Sequence, residues 1–226
     1  MLGTIVNTGA IILGGSIGLI FKRGLPEKLS KQVMNGLALC VLYIGISGTM
    51  QGKNALIIIL SMVIGTLIGE LLNLDCRVNS LGNWLECKFK SKDNHTSISE
   101  GFVSASLLFC VGAMAIVGSL QDSLSSDASM LYTKAMLDGI SSVIFSASLG
   151  IGVILSSVFV FIYQGTITLL ASLMAPFLTD LVIGEMTCVG SILIIGLALN
   201  MLGVTNLKLM NFVPAIFIPI LLILIF

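Results

Sequence analysis

Apolar residues in this chain run in long blocks, at about 2–21, 33–50, 54–73, 101–120, 129–147, 149–174, 183–203 and 209–226. Most are close to the roughly 20 residues that an α-helix needs to cross a bilayer. In lipid every backbone N–H and C=O must be satisfied within the segment, so each block is expected to be helical. A closed β-barrel would show ten-residue segments of alternating polarity, and none is present. Only Ser148-Leu149-Gly150-Ile151-Gly152 separates the fifth block from the sixth. The expected fold is therefore all-α, a polytopic membrane helix bundle of seven or eight spans, the smaller count leaving one re-entrant piece.

Polar residues punctuate the blocks and orient them. Lys22, Arg23, Lys28 and Lys31 follow the first block and Arg77, Lys88, Lys90 and Lys92 follow the third, whereas the second connection carries only Lys53. An excess of Lys and Arg marks cytoplasmic loops, which places the N-terminus outside. Residues 75–99 form the one long polar connection. Within it Val78, Leu81, Leu85 and Phe89 recur at helical spacing beside Trp84, the pattern of a helix lying on the cytoplasmic membrane surface.

Composition narrows the class. The chain is 56% hydrophobic and 10% charged, against about a quarter charged in soluble domains. Its 226 residues leave no room for a separate soluble domain, so residues 1–226 read as a single integral membrane domain. The formal net charge is +0 and no polybasic tail is present, which gives no reason to expect a nucleic-acid partner. The first block lacks a basic n-region and is followed by Lys22-Arg23, unlike a cleaved signal peptide. Cys40, Cys110 and Cys188 lie in apolar runs and read as packing residues. Cys76 and Cys87 share only His95 as a soft neighbour, without the short paired spacing of a zinc site, so no metal or cofactor is expected.

Glycines and a possible internal symmetry come next. Gly14 with Gly18 and Gly65 with Gly69 form G-x-x-x-G pairs, which let helix backbones approach closely and are also used at homo-oligomer contacts. The second, fourth and seventh blocks resemble one another in glycine spacing, and each starts near a polar residue, Gln32, Glu100 or Glu185. With the second block running outward and the seventh inward, the first three and last three blocks would be inverted repeats, an arrangement common in secondary transporters.

Polar side chains within the blocks are the candidate chemistry, because lipid rejects them unless they find partners or water. Asn7 lies in the first block, Asn200 in the seventh, and Gln164 is followed by Gly165 in the middle of a 26-residue apolar stretch. The Gln164-Gly165 pair is expected to break the sixth helix, and the glycine-rich first helix is its counterpart. Lys134 and Asp138 stand four apart and can neutralise one another on one helix face. Glu70 marks a membrane edge, and Glu185 with Thr187 opens the seventh block, where an acid can carry a proton or bind a cation. Hydrolytic chemistry lacks its parts: His95 is the sole histidine, and no H-E-x-x-H or glycine-rich phosphate loop is present.

The segments MLGTIVNTGAIILGGSIGLIF, CVGAMAIVGSLQD, YQGTITLLAS and GEMTCVGSILIIGLALNMLG, in this order, resemble the YdfK/YqgA-like family of bacterial membrane proteins, a domain of unknown function. The resemblance covers essentially the whole chain. It implies a bacterial inner-membrane protein of seven or eight spans and supplies no catalytic residues. The function expected is that of a secondary transporter or channel for an ion or small solute, not an enzyme. Its pathway would use Asn7, Asp138, Gln164, Gly165, Glu185 and Asn200, with membrane lipid as its surroundings and a homo-oligomer as a further option. The alternative is a non-transporting scaffold or regulatory subunit.

Overall fold

The computed structural model describes residues 1–22, 27–78, 80, 98–110 and 113–225, and its regular elements are helical throughout. They are α1 (Leu2–Lys22), α2 (Glu27–Thr49), α3 (Ala55–Leu72), α4 (Ile98–Cys110), α5 (Ala113–Leu124), α6 (Ser129–Leu149), α7 (Gly152–Leu169), the single turn α8 (Ala171–Met174), α9 (Asp180–Met201), a 3₁₀ segment Leu209–Ile216, and α10 (Ile218–Ile225). Each predicted apolar block is thus helical. Of the stretch read as a surface helix, Val78 and Ser80 are described and helical, whereas residues 81–89, with Trp84 and Cys87, and the loop residue His95 lie outside the described residues.

Length and composition of the described helices do not by themselves reach the expected seven or eight spans. Among the described residues four helices are long and apolar enough to cross a membrane, namely Leu2–Phe21, Ala55–Leu72, Gly152–Leu169 and Asp180–Met201. A fifth crossing is added if Ile98–Cys110 and Met114–Leu124, bent by 59°, count as one. The last apolar block falls short because it begins as a 3₁₀ segment around Pro214, whose missing N–H cannot join an α-helical ladder.

A second difference concerns the broken helix. Gln164 and Gly165 lie inside the continuous α7, and the glycine-rich α1 is also unbroken. Glycine permits a break without imposing one, and in an apolar setting no water competes for the backbone. The break falls instead at Gly150, whose φ of 80° is open to glycine and costly for other residues.

Two compact units are present. One gathers α1, α4, most of α5, α6 and α7; the other gathers the C-terminal part of α2, then α3, α9, the 3₁₀ segment and α10. This grouping cuts across a division into the first three and last three blocks.

In the first unit α1 and α6 run parallel in direct contact. Gly3 faces Leu131, Gly14 faces the Gly139 carbonyl and the Ser142 hydroxyl, and Gly18 faces the Val143 carbonyl and Ser146. α4 and α7 are likewise side by side and parallel: Gly152 faces the Ile98 carbonyl, and Phe102 meets Phe159 edge to face with centroids 6.1 Å apart. The opposite side of α1 presents Ile5, Ile12, Leu13, Ile20 and Phe21 outward, the apolar face expected of a helix that meets lipid.

In the second unit α9 is buried along nearly its whole length, from Val182 to Ala198. The end of α2 runs antiparallel to it, with Gly45 facing Ile195 and Gly48 facing Ser191. The second G-x-x-x-G pair works in the same way on α3, where Gly65 and Gly69 lie on the backbone of Ala215 and Asn211. Both glycine pairs therefore serve close helix packing.

Candidate functional site

The first unit holds a polar cluster built from α1, α6 and α7. The Asn7 amide Nδ2 donates to Asp138 Oδ2 at 3.0 Å and to Gln164 Oε1 at 3.1 Å. Lys134 Nζ lies 2.8 Å from Asp138 Oδ2 and 3.0 Å from Oδ1. Asn7 and Gln164 are 0% exposed, and Lys134 and Asp138 6%.

The orientation of the amides follows from the charges around them. Turning Asn7 over would aim its carbonyl oxygen at a carboxylate, so Nδ2 must face Asp138. That leaves Asn7 Oδ1 and Gln164 Nε2 without a hydrogen-bond partner among the described residues. One open acceptor and one open donor thus lie beside a neutralised ion pair. Buried polar atoms without partners are rare and costly, so each calls for an explanation such as a water, an ion or a polar guest.

The helices set this geometry. Lys134 and Asp138 lie one turn apart on the face of α6 toward α1, and Ser142 and Ser146 continue it at the same spacing, packed at Gly14 and Gly18. The ladder is closed below Gln164 by Thr168, whose hydroxyl donates to the Gln164 carbonyl at 2.8 Å and lies 3.5 Å from the Thr4 hydroxyl. Gly165 is buried next to this cluster, with only the Met1 side chain, 4.0 Å away, near the position a Cβ would take. Lys134, Thr4 and Thr168 were not among the expected pathway residues. Lys134 carried a signal in its spacing from Asp138, whereas the two threonines carried none.

Glu185 and Asn200 belong to the second unit. Glu185 is 0% exposed; its Oε1 accepts from the backbone N–H of Lys53 at 2.8 Å and of Asn54 at 2.9 Å. Asn200 is the last but one residue of α9 and organises the turn that follows. Its Oδ1 accepts from Thr205 Oγ1 at 2.7 Å and from the Leu207 N–H at 2.9 Å, and its Nδ2 donates to the Leu207 carbonyl at 2.8 Å. All its polar atoms are engaged in local structure, at a helix end and not deep within a span.

Sequence reasoning missed Asn211, which is 2% exposed. Its amide Nδ2 donates to Glu70 Oε2, and its Oδ1 accepts from the Asp75 N–H at 2.8 Å, so it ties the end of α3 to the start of the 3₁₀ segment. Its signal was a lone amide within the apolar run 209–226. Of the cysteines read as packing residues, Cys110 and Cys188 are buried and Cys40 is exposed. Among the described residues no group of three His, Cys, Asp or Glu side chains is placed to hold a metal.

Comparison with known proteins finds relatives over nearly the full length of the chain. The family described as "Protein of unknown function (DUF554)" matches residues 2–224. An uncharacterized membrane protein of Bacillus subtilis (strain 168), YdfK, is 37% identical over 223 residues, covering 97% of this chain and 94% of the relative. The uncharacterized protein YqgA of Escherichia coli (strain K12) is 29% identical over 219 residues, covering 96% of this chain and 93% of its own. No solved structure matches. The chain belongs to the DUF554 family.

Proposed function

We propose that this member of the DUF554 family is a multi-pass protein of the bacterial inner membrane that moves a small polar solute or ion, with its binding site at Asn7, Asp138, Lys134 and Gln164. The observation that carries the reading is the pair of open valences, Asn7 Oδ1 and Gln164 Nε2, on a fully buried cluster. A guest offering both a hydrogen-bond donor and an acceptor fits them. The Lys134–Asp138 pair supplies a charge of each sign within reach while keeping the empty site neutral. Intramembrane ionisable residues of this kind are characteristic of pathways for ions and solutes.

Eight crossings are the reading that the packing directions support. In an alternating series the first and fifth helical segments run the same way, as α1 and α6 do, and so do the fourth and sixth, as α4 and α7 do. The second and seventh must be antiparallel, as α2 and α9 are, and the third and eighth also, as α3 and the 3₁₀ segment are. The basic residues of the first and third connections support the reading with the N-terminus outside.

Flux into liposomes tests the proposal. Purified protein should pass at least one solute from a panel of inorganic ions, amino acids and small amides, and Asn7→Ala and Gln164→Ala should each lower the rate about tenfold, the effect of roughly 1.4 kcal/mol. Unchanged rates in both variants would remove the site. An absence of flux across the panel would remove the transport reading and leave a scaffold or regulatory subunit.

A further inference from the structure

The second unit contains a carboxylate that the transport site does not use. Glu185 is 0% exposed, one of its oxygens is saturated by the Lys53 and Asn54 N–H groups, and the other, Oε2, has no hydrogen-bond partner among the described residues. The Lys53 and Asn54 bonds fix the carboxyl group at the start of α3, where Asn54 caps the helix through Leu56 N and Ile57 N. The open oxygen is therefore held in place.

The surroundings define what Oε2 can take. The Gln51 carbonyl approaches α9 at Gly184, next to Glu185. Cys188, one turn on, donates its thiol to the Thr49 carbonyl at 3.3 Å. The charged and titratable groups facing this end of the unit are Asp180 in the first turn of α9, the Cys188 thiol, and Lys53, whose side chain is exposed. α3 brings no acid to its first turn, the 3₁₀ segment and α10 contain no titratable residue, and Glu70 and Lys208 belong to the other end of α3. Glu185 is thus the one buried carboxyl group among these residues, and the Gln51 and Thr49 carbonyls pack against neighbouring positions of α9. A divalent hard cation draws on six or more oxygens, commonly with several carboxylates, and an anion would meet repulsion. A single positive charge matches.

We propose that Glu185 anchors a binding site for a monovalent cation, sodium or a proton, with Oε2 as the charged ligand and the α2–α3 linker above it as the way in. Lys53 and Asn54 are exposed while Glu185 beneath them is not, so the site lies one residue layer from the surface. A proton would add to Oε2 and leave a neutral acid; a sodium ion would leave the carboxylate ionised. The site does not depend on the transport reading, since cation binding here is measurable without any flux.

Thermal unfolding of the purified full chain in detergent provides the test. Replacing choline chloride by sodium chloride at constant ionic strength should raise Tm by about 5 °C once sodium is roughly a hundredfold above its Kd. If the cation is a proton, lowering the pH in choline chloride should produce that rise instead. Glu185→Gln should abolish whichever response is seen. A wild-type chain indifferent to both cations, or a response that persists in Glu185→Gln, would overturn the proposal. Should that variant not fold, infrared difference spectra of the wild type decide: sodium should shift a carboxylate band, or acid should raise a protonated-carboxyl band. The absence of both would equally overturn it.

Discussion

Asn7 and Gln164 share a 3.1 Å hydrogen bond across 157 residues of sequence, and the same Asn7 nitrogen holds Asp138 at 3.0 Å. One amide thus joins three helices of the first unit. Asn7→Leu removes both bonds and strands the Gln164 carbonyl in an apolar site. Each lost bond is worth about 1 kcal/mol in a membrane, and an orphaned buried acceptor adds to that. A loss of about 1–3 kcal/mol is expected in reversible unfolding from mixed micelles, with Gln164→Leu losing less because Asn7 keeps Asp138.

The Lys134–Asp138 pair predicts strong non-additivity. Removing one partner leaves an uncompensated buried charge and should destabilise by about 3–5 kcal/mol, whereas replacing both with apolar residues of similar size is close to neutral. Lys134→Met and Asp138→Leu should each lower the yield of folded protein sharply, and the double variant should recover most of it. Equal losses in the single and double variants would show that the pair is not a closed unit.

Glycines of identical chemistry should respond in opposite ways. At Gly14 and Gly18 a methyl group would enter the Gly139 and Val143 carbonyls, so each Gly→Ala change should cost about 1–3 kcal/mol. At Gly165 the space is open and the backbone helical, so Gly165→Ala should be neutral or stabilise by up to about 1 kcal/mol. Thermal melts of the three variants, compared with the wild type, check the contrast.

Asn200 separates structure from transport. Asn200→Ala should destabilise the turn after α9 by about 1–2 kcal/mol through its three lost bonds to Thr205 and Leu207. Flux per folded molecule in liposomes should stay at the wild-type level. A selective loss of flux would return Asn200 to the pathway.

The difference between these residues shows what one-dimensional information carries here. Helical blocks were legible because lipid leaves the backbone no other choice, and the Lys134–Asp138 pair was legible because a helix converts a spacing of four into a contact. Neither rule says which helices meet. Asn7, Asp138 and Gln164 each stood out as polar residues in apolar runs, but their convergence depends on α1 lying parallel to α6, which only the glycine contacts with Gly139 and Val143 fix. Gly150 and Gly165 are indistinguishable as letters; the first ends α6 at a positive φ, two residues before Gly152 meets the Ile98 carbonyl, and the second sits inside α7 with no such close approach among the described residues. Asn200 and Asn7 differ in the same way, since Thr205 and Leu207 reach one and a remote helix reaches the other.

The 157-residue interval between Asn7 and Gln164 also has a meaning in time. At a synthesis rate of about 5–20 residues per second, Gln164 is made roughly 8–30 s after Asn7. For most of that interval Asn7 has neither Asp138, 131 residues on, nor Gln164 to receive its amide. The polar centre of the first unit can therefore close only after α6 and α7 have followed α1 out of the ribosome.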